Sequence, residues 1–300
     1  MYVNYQMQSG KMLAQVKDII CGSLLEEVQT TPKPGLVDLW DTGAHRDMDC
    51  QTFEKSAKAI TPYLTQMFGI GYYGYSNDKK ESCERLFLEI RKVGKRAEQA
   101  MFQATGGVNT HKGIIFTMGI LAAASGLSMK VNGQMNMEKV FLYVQRMTDR
   151  ILEQEIEDME KRKPVTHGEI LFAASGERGI RGEAQKGFPI ITRTAYPVLK
   201  ALRECGYDEN NCNIQMLLEV IGVLNDTNVL SRGGKEQLVW IKQTAQNILQ
   251  QGGAFSVTGQ LELREFNQEC IRRNLSPGGA ADILAATLYL YYMEKMFGEI

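Results

Sequence analysis

An acidic cluster lies in an irregular segment near the start of the chain, residues 30–49, which reads TTPKPGLVDLWDTGAHRDMD. In this segment Asp47 and Asp49 are separated by a single residue, and His45 lies just before them. Carboxylates this close repel one another unless a cation lies between them, and Mg²⁺ prefers such oxygen ligands. The alternative is that Asp47 or Asp49 caps a helix that starts near Cys50. The cluster as a whole favours contact with a metal or substrate, and it makes His45 and Asp47 candidates for catalysis.

Two further aspartates lie in loop-like strings much later in the chain and can complete an oxygen-rich site. One string is NDTN, at residues 225–228, and the other is SPGGAAD, at residues 276–282. In the second string we expect Ser276 to be the N-cap and Pro277 the first helical residue. Asp282 then lies about one and a half turns into the helix, where it faces either a pocket or solvent. The predicted metal ligands are Asp47, Asp49, Asp226 and Asp282.

A glycine-rich segment with interleaved charges, SGERGIRGEAQKGFP, spans residues 175–189. Glycines allow backbone N–H groups to approach an anion, and the planar forks of Arg178 and Arg181 fit phosphate oxygens. A mobile surface loop with solvated charges is the alternative, and it suits Lys186 better than the arginines. Other polar loops add basic and amide side chains. Together they predict a polyphosphate ligand held by Lys33, Asn109, Lys112, Arg178, Arg181, Asn228 and Arg232.

The common nucleotide and zinc motifs are absent from the sequence. Gly182 and Gly187 have the P-loop separation, but Phe188 follows where that motif requires a lysine. No GxGxxG follows a predicted strand, and no HExxH occurs, so the sequence indicates neither a Rossmann dinucleotide site nor a zincin. All the histidines lie in polar loops, which favours function over core packing. They are His45, His111 and His167.

Helical periodicity dominates the rest of the chain and determines how these residues must be positioned. Strings such as MLAQVKDIICGSLLEEV, ERLFLEIRKVGKRAEQAMF and ADILAATLYLYYMEKMF repeat apolar residues at helical spacing. Alternating β-branched runs are nearly absent. No fixed-period repeat and no Pro/Ser-rich linker divides the chain. We therefore predict an all-α protein of about ten helices that forms a single domain over residues 1–300.

Composition excludes several classes of protein. Hydrophobic residues make up 44% and charged residues 23% of the chain, and the formal net charge is -1, so a nucleic-acid partner, which usually needs a basic protein, is not indicated. The six cysteines lack CxxC spacing, and we expect isolated buried thiols in a reducing cytosol. We see no signal peptide. The longest apolar run, GIIFTMGILAAASGL, is too short for a membrane span, so we predict a cytoplasmic protein without membrane contact.

The unusual residues fall in five segments between the predicted helices. Loops on a rigid scaffold carry function more often than helix faces do. If the five segments meet at one end of a helical bundle, they form a single polar pocket. The segments are 31–49, 105–113, 166–189, 225–234 and 274–282.

Taken as a set, these segments resemble the triphosphoribosyl-dephospho-CoA synthase family. The resemblance rests on strings that occur in the same order over most of the chain: TPKPGLVD, GAHRDMD, GVNTHKG, GIRGEAQKGFP, DTNVLSRGG and SPGGAADILA. The departures are small. Ala280 stands where a serine is expected, and AYPVL stands where a leucine is expected before the proline. Neither departure removes a charged group.

The resemblance implies an activity. Members of the family transfer the ribose 5-triphosphate part of ATP to the 2'-hydroxyl of 3'-dephospho-CoA and release adenine. The product is the precursor of the prosthetic group on the acyl-carrier subunit of citrate lyase or malonate decarboxylase, and a separate holo-acyl-carrier-protein transferase attaches it. ATP and 3'-dephospho-CoA are then the expected substrates and Mg²⁺ the expected cofactor. The oligomeric state stays open, with a homodimer among the alternatives.

Cleavage of an N-glycosidic bond through an oxocarbenium-like transition state sets three tasks. The triphosphate must be held, which aspartates with Mg²⁺ and basic side chains such as Lys33 can do. The acceptor hydroxyl needs a base, for which Glu169, Glu183 or an aspartate is the candidate. The departing adenine needs an acid or a hydrogen-bond donor, and the candidate is His45 or His111.

Two other interpretations compete with this one. A Mg²⁺-dependent N-glycoside hydrolase of the ADP-ribose-removing kind is also helical and also uses clustered acids on loops, and there water replaces the CoA hydroxyl. A helical scaffold without enzymatic activity predicts no ATP binding, but a scaffold has no need for clustered like charges.

Overall fold

The computed structural model describes residues 2–161, 163–164, 170, 172–173 and 176–298, with the backbone alone for residues 2–9 and 160. Within these residues the secondary structure is helical and includes no β-strand, which confirms the predicted all-α class. A short π-helical turn (Ile191–Ala195) leads into α7, and a 3₁₀ turn (Gly253–Phe255) precedes α10. The α-helices with both ends in the described residues are α1 (Tyr2–Gln29), α2 (Cys50–Gly74), α3 (Lys80–Ala104), α4 (Lys112–Asn132), α5 (Met137–Glu160), α6 (Gly179–Gln185), α7 (Tyr196–Glu204), α8 (Glu209–Val223), α9 (Thr227–Gln250), α10 (Val257–Arg272) and α11 (Gly278–Phe297).

Helix α4 is the central helix of the fold. Its sequence, KGIIFTMGILAAASGLSMKVN, is apolar on nearly every side, as expected of a helix surrounded by protein, and it packs against α2, α3, α5 and α11. It is long and apolar enough to cross a membrane, but 83% of its most apolar window is buried inside the fold. Such burial is typical of a core helix. The buried apolar side chains around it form one cluster that extends from Val16 in α1 to Met293 in α11.

The cysteines are all free thiols, in agreement with the absence of paired spacing in the sequence. Cys83, Cys212 and Cys270 are buried, whereas Cys205 is exposed. The expectation of buried thiols therefore holds for only some of them.

Helices α2 and α4 touch backbone to backbone. A Cβ atom at Gly71 would lie 2.1 Å from the carbonyl oxygen of Ala123, and one at Gly126 would lie 2.2 Å from the carbonyl oxygen of Phe68. Both distances are far below van der Waals contact, so only glycine allows this approach. The two glycines therefore set the spacing of the helix pair that carries one wall of the cavity described below.

The amino ends of three helices, α4, α9 and α11, meet at one cavity, and α9 is kinked at Gly234 (φ 72°, ψ -170°). Their first residues, Lys112, Thr227 and Gly278, all line it. A helix amino end carries N–H groups without an intrahelical partner and a partial positive charge. The fold therefore concentrates positive potential where the polar segments of the sequence meet.

We expect Gly126→Ala to destabilise the protein by about 1–3 kcal/mol, because the added methyl group must displace the backbone of α2. The matched control is Gly22→Ala in α1, where no atom lies within 4 Å of the Cβ position. That change should stabilise by about 0.5–1 kcal/mol through helix propensity. Urea unfolding of both variants measures the difference. Equal free energies of unfolding would show that α2 and α4 are not in backbone contact.

Candidate active site

A cavity of about 790 Å³ is lined by residues from each of the five polar segments. The segments contribute, in chain order, His45, His111, Glu183, Asn228 and Asp282 among others. Residues from distant parts of the sequence thus share one cavity, although helices separate the segments along the chain. His167 and Glu169, which the sequence also singled out, lie outside the described residues.

Asp226 joins the amino ends of two helices. Its Oδ1 accepts hydrogen bonds from the backbone N–H of Asn228 (2.8 Å) and of Val229 (3.4 Å) in α9, and its Oδ2 accepts one from Ala280 (3.0 Å) in α11. The side chain is buried. Burial raises the pKa of Asp226 above its ordinary value, although the N–H groups of four residues oppose that effect. A single carboxylate therefore caps two helices and fixes their relative position at the cavity.

The carboxyl group of Asp282 lies against the first turn of α4. A Cβ atom at Gly113 would lie 1.9 Å from its Oδ2, so only glycine leaves room for it. Burial, followed by the charges of Glu27 and Asp226, raises the pKa of Asp282 well above its ordinary value. Among the described residues this carboxyl group has no hydrogen-bond donor. It is therefore set to hold a proton or a cation.

Lys33 is occupied by Glu27 rather than open to a ligand. Its Nζ lies 2.5 Å from Oε1 of Glu27 and donates a second hydrogen bond, of 2.6 Å, to the Glu27 carbonyl oxygen. The lysine is buried, and Glu27 lines the cavity whereas Lys33 does not. Burial raises the pKa of Glu27, and Lys33 opposes the rise. The ammonium group thus already neutralises a buried carboxylate, and a direct contact between Lys33 and a triphosphate stays a prediction.

His111 lines the cavity, and only one of its ring nitrogens has a partner within the described protein. Its Nδ1 lies 2.6 Å from the hydroxyl oxygen of Ser56, whereas its Nε2 is buried and has no hydrogen-bond partner. The ring also meets Phe53 edge to face at 5.0 Å. Burial, with the nearby charge of Lys33, lowers the pKa of His111 to about 3. His111 is therefore neutral at physiological pH.

His45 is the second cavity histidine, and it is tied to two other loops. Its Nε2 lies 2.9 Å from Oγ of Ser276, and Nη2 of Arg232 lies 3.4 Å from its Nδ1. Burial and then Arg232 lower the pKa of His45, and Asp47 opposes them. Ser276 is thus not the N-cap that the sequence suggested. Helix α11 begins one residue later than expected, at Gly278, because Asp226 supplies the acceptor for its first turn.

Glu183 is the described carboxylate best placed to act as a base. It lines the cavity, and its Oε2 accepts a hydrogen bond of 2.9 Å from the backbone N–H of Ile190. That bond fixes the carboxylate and leaves Oε1 available. Burial raises the pKa of Glu183, and the charges of Lys186 and Arg193 oppose the rise.

Asp47 and Asp49 do not line the cavity. Asp49 is the N-cap of α2, since its Oδ1 accepts hydrogen bonds from the backbone N–H of Thr52 (2.8 Å) and from its hydroxyl (2.7 Å). Asp47 is largely exposed and lies 3.8 Å from Nδ1 of His45. The capping alternative therefore describes Asp49, and the four predicted metal ligands separate into two pairs.

The two predicted phosphate-binding arginines point towards α5. Arg178 lines the cavity, but its guanidinium forms a two-pronged contact with Glu153, at 2.5 and 3.1 Å. Arg181 is exposed, lies 3.6 Å from Glu155 and is outside the cavity lining. Both forks therefore contact α5 next to the short helix α6, and their role as direct phosphate ligands stays a prediction.

Other cationic and amide groups remain available to a ligand. Asn109, Lys112 and Asn228 line the cavity as predicted, although Lys112 also lies 3.6 Å from Glu98. Sequence reasoning missed Arg193 and gave little weight to Lys186. Both line the cavity, and among the described residues neither forms an ion pair or hydrogen bond. The only sequence signal for Arg193 was its position just after GFP, in a string without glycine or acid.

Comparison with known proteins identifies the family. The family model described as ATP:dephospho-CoA triphosphoribosyl transferase matches residues 13–300. The chain belongs to this family. A 2-(5''-triphosphoribosyl)-3'-dephosphocoenzyme-A synthase of Escherichia fergusonii is 36% identical over 293 residues, which cover 97% of this chain and 95% of that protein. The protein of the same name from Klebsiella pneumoniae is 38% identical over 268 residues, which cover 89% and 87%.

The donor groups of this triphosphoribosyl transferase partly fit the Mg²⁺ ion expected from its sequence. No group of three or more His, Cys, Asp or Glu side chains among the described residues is arranged to hold a metal ion. However, Mg²⁺ takes only one or two carboxylates when water and substrate phosphates complete its shell. Asp282, which has no donor, and the adjacent Asp226 meet that smaller requirement, whereas Asp47 and Asp49 do not line the cavity.

We expect Asp282→Asn to abolish most of the turnover of this transferase and also to stabilise it. A carboxyl group whose pKa is raised on folding ionises first in the unfolded state, so it destabilises the fold increasingly as pH rises above the unfolded value. Without added metal, the melting temperature should therefore rise by about 2–4 °C at pH 7, and the gain should shrink towards pH 4.

Asp49→Asn is the matched control, because asparagine caps a helix as well as aspartate does. Its melting temperature and turnover should stay near those of the wild type. A large loss of turnover in this variant would show that Asp49 takes part in the active site and does more than cap α2. A stability gain in Asp282→Asn that did not depend on pH would contradict the buried carboxyl group.

Proposed function

We propose that this chain transfers the 5-triphosphoribosyl group of ATP to the 2'-hydroxyl of 3'-dephospho-CoA and releases adenine. The observation that carries the proposal is one cavity in which three helix amino ends and unpaired cationic side chains lie beside a fixed carboxylate and a neutral imidazole. Such a cavity binds phosphates and offers acid and base groups near them. Its volume of about 790 Å³ lies within the usual range of small-molecule sites.

The triphosphate is proposed to lie at the amino ends of α4, α9 and α11, where backbone N–H groups and helix dipoles favour anions. Lys112, Lys186, Arg193 and Arg232 add positive charge around that position. Asp226 and Asp282 are the residues that would hold Mg²⁺, and the ion would supply positive charge that balances the phosphates. These contacts hold the donor so that the ribose C1 faces the acceptor.

Glu183 is proposed as the base for the acceptor hydroxyl. The C1–N9 bond of ATP breaks while a bond forms between C1 and the 2'-oxygen of dephospho-CoA. The hydroxyl proton passes to the free Oε1 of Glu183. The raised pKa of Glu183 suits this task, because a base works best when its pKa lies closer to the working pH.

His111 is proposed to assist the departure of adenine as a hydrogen-bond donor rather than as a cation, since both ring nitrogens of His45 already contact Ser276 and Arg232. The lowered pKa values of both His45 and His111 keep them neutral near pH 7. A neutral imidazole N–H stabilises the developing negative charge on the purine, and adenine then takes up, through solvent, the proton that the acceptor hydroxyl gave to Glu183. The product would feed the holo-acyl-carrier-protein transferase of citrate lyase or of malonate decarboxylase.

Product analysis with two labels tests the proposal. In a reaction with dephospho-CoA and Mg²⁺, base-labelled ATP should yield free adenine in step with product, and γ-phosphate label should appear in the CoA-containing product. ADP would indicate a kinase and pyrophosphate a nucleotidyl transferase. Adenine release that does not need dephospho-CoA would favour the N-glycoside hydrolase instead.

The base is tested by the pH dependence of turnover. We expect kcat to fall as pH drops through the raised pKa of Glu183, because the base must be ionised. Glu183→Gln should lower kcat by roughly 100-fold or more and leave KM nearly unchanged. The control is Glu219→Gln, since burial also raises the pKa of Glu219 but that residue lies outside the cavity lining. A wild-type acid limb that persists unchanged in a fully active Glu183→Gln variant would refute the assignment.

A further inference from the structure

A chain of hydroxyl groups behind His111 is not explained by helix structure alone. Ser56 lies in α2, fully buried, and its Oγ is 2.6 Å from Nδ1 of His111. The hydroxyl of Thr110 donates to the same Ser56 oxygen at 2.7 Å. Three polar groups from α2 and from the loop before α4 thus form a short line that ends at the imidazole.

The direction of the hydrogen bonds follows from their number and length. Ser56 has one proton, it accepts from Thr110, and among the described residues its only remaining partner is Nδ1 of His111. An N–H···O bond is usually about 2.9 Å long, whereas a hydroxyl donor approaches more closely. A distance of 2.6 Å therefore fits a Ser56 hydroxyl that donates to an unprotonated Nδ1.

The other ring nitrogen must then carry the proton. That nitrogen, Nε2, is buried and has no partner among the described residues, and His111 is one of the residues that line the cavity. A buried N–H without an acceptor destabilises the protein, so this position favours an acceptor from a ligand. Phe53 packs against the ring edge to face and limits its rotation. The neighbouring Lys33 charge also disfavours a cationic ring.

We propose that Ser56 is a positioning residue that fixes His111 as the Nε2–H tautomer, so that His111 offers one oriented hydrogen-bond donor to an acceptor atom of the substrate. The proposal rests on the proposed function for the identity of that acceptor, a ring nitrogen of the departing purine. The tautomer of His111 is a property of the free protein, so that part of the proposal does not depend on the proposed function.

Nitrogen-15 NMR of the histidine rings tests the tautomer directly. The chain has only three histidines, so the spectrum is sparse, and His45→Gln and His167→Gln assign the remaining signal to His111. In the wild type at pH 7 the unprotonated, pyridine-type nitrogen should be Nδ1 and the proton should lie on Nε2. A wild-type ring protonated at Nδ1 would overturn the inference, whatever the enzyme catalyses.

Ser56→Ala should shift His111 towards the Nδ1–H tautomer. It should also lower kcat by roughly 10- to 100-fold, as loss of a supporting hydrogen bond typically does, with the KM for each substrate within about two-fold of the wild type. The matched control is Ser128→Ala, which removes a buried, hydrogen-bonded serine at the far end of α4. That control should leave both the histidine spectrum and kcat unchanged. An unchanged tautomer in a folded Ser56→Ala protein would overturn the proposal.

Thr110→Val provides a second variant that does not alter the buried core of α2. Without the Thr110 donor, Ser56 should hold His111 less firmly, so a smaller shift towards Nδ1–H is expected. An unchanged His111 spectrum in this variant would contradict the hydroxyl chain. If the wild-type protein shows the Nε2–H tautomer of His111 but does not catalyse triphosphoribosyl transfer, the proposed function is wrong and the inference about the tautomer is retained.

Discussion

The arrangement of the cavity depends on the hydrogen bonds that Asp226 makes to two helix amino ends. Without that carboxylate, α9 and α11 would each present unpaired N–H groups at a buried position, which is costly. With it, the loops that carry Asn228 and Asp282 are held at a fixed separation. The partial positive charges of both helix ends compensate the buried anion. A structural cap and a component of the site are therefore the same residue.

Electrostatic balance explains why the remaining charges divide as they do. Glu27, which lines the cavity, is neutralised by Lys33 behind it, and Arg178 is paired with Glu153. The carboxyl group of Asp282 lines the cavity and has no hydrogen-bond donor among the described residues. Helix amino ends and exposed cations line the same cavity. Such a distribution is unfavourable when the cavity holds only water and favourable when a polyanion with its counter-cation fills it. Strain of this kind is expected where binding is the purpose of the site.

The sequence predicted local features well and contacts between distant residues poorly. Helix type follows from apolar spacing within each segment, and the cap at Asp49 follows from its place just before α2, so both could be foreseen. The carboxylate of Asp226 caps α11 from another loop, and the fork of Arg178 meets a glutamate on a different helix, so neither pairing has a local signal. Ser56 is a single serine within an amphipathic helix, and only the fold brings it to His111.

The backbone contact between α2 and α4 at Gly71 and Gly126 has a mechanical consequence for the contact between Ser56 and His111. The stretch of α2 from Gly71 to Ser56 is about 22 Å long at 1.5 Å per residue, and it contains Pro62, which lacks the N–H for an intrahelical hydrogen bond. A tilt of about 3° at this contact would move the far end of a helix segment of that length by ~1 Å. A displacement of that size can lower the rate of an orientation-dependent reaction by about 100-fold. The contact at Gly71 and Gly126 therefore acts as a pivot for the two helices. These two residues, which have no side chain and lie in the interior of the bundle, control how accurately Ser56 and His111 are positioned at the candidate active site.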